Sequence, residues 1–382
     1  MKKLVIILFL LIVKVTLAQE VIGAIGLDTL SADKKEVFNL WRNYLHARPD
    51  SSYNNPYWND TEKKRYTSFD LLNSEGFINP SLYYFKLSTQ VLSITQNNDY
   101  YVIRSLFYLD DKKSINIWAI TNVVAKQING KFLLYNYLPY YAKGWIDKTV
   151  GLIKYHYYPS FSFQKTKADE ANVFLLKICK AFSIRPDSLD YYIAPDCDDV
   201  FRLQGFDYVM TMGSDVDCGF YDQTNSIIYA TATGGESHYH ELTHVINKYY
   251  PNANGLLLAG IAAYWSKDKA SLGKPLIYHI KRVNQYLLSH PEIDLSDPAG
   301  FYRMDAQTNP QYVIGALVCD MALKQGGIKK LQMLFNCGRG DKDLYKAMET
   351  ELNLKKSDFN SYFRKTIAYW ATQQEFRPFE LK

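Results

Sequence analysis

The stretch Gly234 to Tyr250, GGESHYHELTHVINKYY, holds the residues best suited to chemistry. Within it His240-Glu241-Leu242-Thr243-His244 forms an H-E-x-x-H motif. On a helix, positions four apart lie one turn apart on one face, so both imidazoles can reach a single metal ion. Glu241 stands beside them, placed to take a proton from a metal-bound water. Leu242, Val245 and Ile246 give the helix an apolar flank, Ser237 is a candidate N-cap, and Pro251 follows the end. The competing reading makes His240 and His244 satisfied polar groups on a half-buried helix. His238 would point about 200° away from His240 on a helix, so it binds a metal only if the first turn unwinds; otherwise it reads as an exposed loop histidine.

Several elements must position this motif. The run Asn225 to Ala232, NSIIYATA, reads as a strand leading directly into it, and its free edge is expected to hold an extended peptide by main-chain hydrogen bonds. Ile153 to Tyr158 and Leu189 to Ala194 also read as strands, with a helix at Ala168 to Phe182 between them. Beyond Gly234 the chain is helical, broken at Pro251, Asn254-Gly255, Gly273-Lys274-Pro275, Asp297-Pro298 and Gly326-Gly327. These elements make a domain over 150–375.

The first half has a different texture. Asp33 to Leu45 predicts a helix with Val37, Leu40, Trp41 and Leu45 on one face. Runs rich in β-branched and aromatic residues follow, separated by turn signals at Asn97-Asn98-Asp99, Asp110 to Lys113 and Asn129-Gly130. They predict an antiparallel meander packed on a helix over 28–147, so the whole chain is expected to be α+β. That order of elements resembles NTF2-like cone domains, at the level of fold alone. Tyr100, Tyr101, Tyr108, Tyr135, Tyr137, Tyr140 and Tyr141 crowd this half. They read first as sheet-compatible packing, and second as the lining of a concave face for sugar or peptide.

From about Ile153 to Ala371 the chain resembles the gluzincin metallopeptidases, in particular the peptidase MA-like group of secreted bacterial proteins. The resemblance rests on H-E-x-x-H and on a second helix of pattern L-x-E-G-x-A-x-Y. Here that helix reads Leu257-Leu258-Ala259-Gly260-Ile261-Ala262-Ala263-Tyr264. The resemblance implies a thermolysin-like domain that hydrolyses peptide bonds with Zn²⁺ held by His240 and His244, with Glu241 as the catalytic acid-base. It also implies a third zinc ligand at the position occupied by Ala259, and an alanine methyl cannot bind metal. Catalytic zinc takes three protein ligands and an open position. A carboxylate from elsewhere, Asp268 or Asp305, or the imidazole of His238 would have to fill the gap. Failing that, the chain is a pseudopeptidase that binds a peptide or another protein. Tyr264 matches a family position and reads as a packing residue.

The 382 residues predict two domains, and 47% hydrophobic with 22% charged residues excludes disorder and coiled coil as the main theme. Net charge is +5, and Lys2, Lys3 and Lys14 lie in the first 18 residues. The remaining chain carries about +2, so no nucleic-acid partner is implied. Met1-Lys2-Lys3, the apolar run Leu4 to Val13 and Thr16-Leu17-Ala18 have the form of a secretory signal peptide over 1–18. No cysteine stands directly after that run, and no later segment has the length of a membrane span. A secreted or periplasmic protein is expected. Of the five cysteines, Cys197 and Cys218 flank one loop-rich stretch and are the favoured pair; buried free thiols are the alternative.

Overall fold

The computed structural model describes residues 21–24, 27, 31–46, 56–66, 87–185, 187–210, 212–213, 218–266, 269–271, 273–305 and 307–381. The signal-peptide expectation for 1–18 and the candidate ligand Asp268 lie outside the described residues. The chain runs β1 (Val21–Gly23), α1 (Ala32–Leu45), α2 (Asp60–Arg65), β2 (Ser88–Asn97), β3 (Tyr100–Asp110), β4 (Ile115–Ile128), β5 (Lys131–Tyr135) and α3 (Leu138–Tyr141). It continues β6 (Ile146–Val150), β7 (Ile153–Tyr157), α4 (Lys165–Phe182), β8 (Leu189–Ala194), α5 (Cys197–Leu203), β9 (Phe206–Val209), β10 (Gly219–Asp222) and β11 (Ile227–Thr231). The helical part is α6 (Tyr239–Thr243), α7 (Gly255–Trp265), α8 (Leu276–Ser289), α9 (Pro310–Phe335), α10 (Asp341–Leu352) and α11 (Phe359–Ala371). The fold is α+β, with an N-terminal sheet and a largely helical C-terminal part. No helix among the described residues is long and apolar enough to cross a membrane.

Two compact units divide the chain. The first takes in the described residues of Met1–Lys64 and Ser68–Asn136 together with Phe206–Met210. Its sheet has the order β1-β2-β3-β4-β5, with β9 also paired to β4. The predicted turn signals are real: Asn98, Asn129 and Gly130 all have positive φ, and consecutive positive φ at Asn129-Gly130 suits the right-handed twist of a two-residue hairpin. Helix α1 buries Val37, Trp41 and Tyr44. The fully buried Trp41 donates its indole N–H to the Ser105 hydroxyl at 2.9 Å, which settles the polar cost of placing an indole in a core. Tyr101 is also buried and donates to Asp33 at 3.1 Å, as a packing residue with a satisfied tip.

The second unit takes in the described residues of Arg65–Thr67, Tyr137–Gly205 and Thr211–Lys382. Its five-stranded sheet has the order β10-β11-β8-β7-β6, with β7, β8 and β11 parallel and a hairpin at each side. Side chains alternate across it. Tyr191, Ile193, Ile228 and Ala230 join a core with α4 and the motif segment, whereas Tyr192, Ala194, Ile227 and Tyr229 face a second cluster with Val200 and Leu203. Every residue of β11 is buried, so it is an interior strand paired on both sides. This corrects the expectation of a free edge on NSIIYATA. The continuous apolar run IIYAT is what a strand covered on both faces requires; the edge of the sheet is the short β10.

Helices α7 and α9 meet backbone to backbone. A methyl at Gly260 would sit 2.2 Å from the Gly315 carbonyl carbon, and one at Gly315 would sit 2.1 Å from the Leu256 oxygen. Around this contact lies the large helical core of Leu257, Ile261, Val313, Ala316 and Leu317. The predicted break at Gly326-Gly327 is a kink inside α9, with Gly327 at φ +65°. Cys197 and Cys218 form a disulfide, while Cys179, Cys319 and Cys337 are free.

Candidate metal centre

The site is built from the loop outward. Two buried tyrosines of the sheet hold the chain that enters the motif: Tyr191 donates to the Gly235 carbonyl at 2.7 Å, and Tyr155 donates to the Glu236 carbonyl at 3.0 Å. The Tyr191 hydroxyl in turn accepts from the His238 amide at 3.2 Å. Gly235 to Ser237 form a 3-10 turn, so Ser237 is not the cap of the motif helix; that position belongs to His238, outside the helix. Helix α6 begins at Tyr239 and ends at Thr243, and His244 opens a 3-10 segment that runs to Tyr249.

The tightened segment brings the two imidazoles together. His240 Nε2 and His244 Nε2 are 3.2 Å apart, with ring centroids 4.8 Å apart and the planes near perpendicular. Two nitrogens each bound about 2.05 Å from a tetrahedral zinc lie about 3.3 Å apart, so the donor spacing fits that ion. His240 is buried and His244 half-buried. Burial holds both rings well below the ordinary histidine pKa, His244 at about 4, with the neighbouring imidazoles adding to the effect for each. The rings are therefore neutral at pH 7, the form in which imidazole binds metal. His240 Nδ1 is buried with no hydrogen-bond partner.

Glu241 is also buried, and burial pushes its carboxyl up to about 8 against a backbone hydrogen bond from Tyr221. Its side chain packs on β10. A methyl at Gly219 would fall 2.8 Å from Glu241 Cγ and 3.0 Å from Oε1, so only glycine leaves room there. His238 is buried rather than exposed, with Nδ1 4.0 Å from Glu241 Oε1 and its ring centroid 6.4 Å from that of His240. One residue was missed by sequence reasoning. Tyr312, at the start of α9, places its ring edge-on to His240 at 5.8 Å, and burial and then the charge of Glu241 raise its hydroxyl pKa.

The other candidates lie elsewhere. Tyr264 is fully enclosed, donates to Asp320 at 2.9 Å and accepts from the Phe379 amide at 2.6 Å, as a packing residue between helices. Asp305 is committed to Arg282 and to the amides of Gln307 and Thr308. Ala259 sits half-buried on α7. Among the described residues, no group of three or more His, Cys, Asp or Glu side chains is placed to hold one metal ion. No protein-family model matches this chain, and no curated protein sequence matches it.

Proposed function

We propose that the second unit is a secreted, zinc-metallopeptidase-like domain of gluzincin type, acting on extended peptides beside β10. The observation that supports this most directly is the pair of Nε2 atoms 3.2 Å apart with a buried carboxyl alongside. His240 and His244 would hold the ion, which when bound supplies Lewis-acid polarisation of the carbonyl and of water. Glu241 takes the proton of the attacking water and passes it to the leaving amine. The Tyr312 ring stands edge-on to His240, and its hydroxyl would stabilise the oxygen that gains negative charge. The outer edge of β10 pairs with the peptide main chain, and Gly219 keeps that edge close to Glu241.

Metal content and peptide cleavage by the purified full chain test this reading. Zinc uptake at micromolar concentration, with hydrolysis abolished by Glu241→Gln, is the expected result. A chain that takes up no zinc ends the proposal.

A second reading is favoured by one residue, Ala259. With only two imidazole donors, the domain would be a pseudopeptidase that binds a peptide or protein in the same cleft. Under that reading Glu241→Gln leaves partner binding unchanged. Loss of partner binding on that substitution counts against it.

A further inference from the structure

We propose that an open hollow between α8 and the loop before α9 binds one neutral sugar ring. Arg282, Gln285, Tyr286 and Ser289 follow one another at spacings of three, one and three, so they share one face of α8. Met304 and Asp305 of the loop complete the lining around a volume of about 310 Å³. Small-molecule sites span about 300–1,000 Å³, and this one lies at the lower end, which suits a single ring. None of the six residues serves the peptidase reading, so the inference is independent of it.

The hollow is ordered before any ligand arrives. Asp305 pairs with Arg282 and accepts from the Gln307 and Thr308 amides at 2.8 and 2.9 Å. Arg282 Nε donates to the Thr308 hydroxyl at 3.1 Å. The Tyr286 ring stacks on His290 at 4.1 Å and lies near parallel to Phe301 at 6.1 Å, which fixes its orientation. Ser289 is committed to the Gln285 and Tyr286 carbonyls. The Gln285 side chain is exposed, and its amide meets no partner among the described residues.

Charge selects the class of ligand. The two charged lining residues are paired with each other, so an anion would have to displace Asp305 from Arg282 and a cation would have to displace Arg282 from Asp305. A neutral ligand breaks neither. A guanidinium has more N–H donors, and a carboxylate more lone pairs, than these contacts use. With the Gln285 amide they offer planar donors and acceptors together, and neighbouring hydroxyls, each of which both donates and accepts, match that mixture. Tyr286 and Met304 supply apolar surface for the C–H side of a ring.

Titration of the full chain with methyl glycosides of glucose, galactose and mannose, followed by ligand-observed NMR, tests this. At least one is expected to bind below about 10 mM. Gln285→Ala removes one neutral hydrogen bond from an exposed helical position, and should weaken binding about threefold to tenfold. Gln285→Trp fills the hollow and should abolish binding with an unchanged melting temperature. An array of immobilised oligosaccharides separates the sources: signal on the array together with a free glycoside assigns a glycan-borne sugar, and a free glycoside alone assigns a soluble one. No binding by any glycoside overturns the proposal. So does binding that both Gln285 variants leave unchanged, or binding of inorganic phosphate in place of the glycosides.

Discussion

Two histidine sites in the second unit make opposite use of the same ring. His156 on β7 is buried, stacks on Tyr192 at 4.3 Å, and places Nδ1 and Nε2 each 2.7 Å from a carboxylate, Asp147 on β6 and Asp190 on β8. Lys154 completes the cluster by pairing with Asp147 at 2.9 Å. Every polar atom of that ring is answered, and the answer ties three adjacent strands. At the motif, His240 has an unanswered Nδ1 and its Nε2 opposes another imidazole. A buried polar atom left unmet costs stability, and native chains retain such costs where function requires them. The contrast separates a ring whose two nitrogens both meet carboxylates from a pair of rings whose Nε2 atoms meet only each other.

The contrast can be broken or sharpened by substitution. His156→Ala removes the ring that both carboxylates meet, an expected loss of about 2–3 kcal/mol in chemical denaturation. A loss below half of that would remove the distinction. Ala259→Glu should act in the other region, supplying the absent third ligand and tightening zinc by at least about tenfold, or about 1.4 kcal/mol, in chelator competition. Unchanged affinity would place position 259 outside the site.

An intermediate case is His279, whose nitrogens meet Thr308 Oγ1 and the Ser271 carbonyl, each at 3.0 Å. Burial lowers its pKa, so the unfolded chain binds the extra proton first. Its contribution is complete above the unfolded value of about 6.5 and falls as pH drops below it. His279→Asn should flatten the loss of stability between pH 7 and pH 5.5 by about 1 kcal/mol, measured by melting at the two pH values. An unaltered slope would show that the ring is not held neutral. The smallest effect is expected at the motif itself: His240→Gln in the metal-free protein should shift stability by less than about 0.5 kcal/mol, because the glutamine amide can still meet the His244 ring. A loss as large as that of His156→Ala would make His240 a structural residue.

Much of this arrangement is written locally. The motif, the strands at Tyr100, Ile153 and Leu189 and helices α1 and α4 follow from periodicity and turn residues, since neighbours in the chain decide them. What escapes reading is pairing between distant segments. β9 is four residues long and joins the first unit's sheet from within the second half, and nothing in FDYV announces its partner. β10 is just as short, yet it carries the glycine that admits Glu241. The free edge expected of β11 was wrong, although its unbroken apolar run is what a strand covered on both faces requires. Tyr312 and the hydroxyl props Tyr155 and Tyr191 were not legible, because a tyrosine's hydrogen-bond partner leaves no local period. His156 reads in sequence only as one residue of a strand.

The glycine-to-glycine crossing of α7 and α9 has a mechanical consequence. With main chain against main chain at Gly260 and Gly315, there is no cushion of side-chain atoms to compress, so the two helices cannot slide past each other without parting. Residue 259 and Tyr312 ride on that pair, so their spacing is set by main chain alone and a substitution at either one leaves the other where it is.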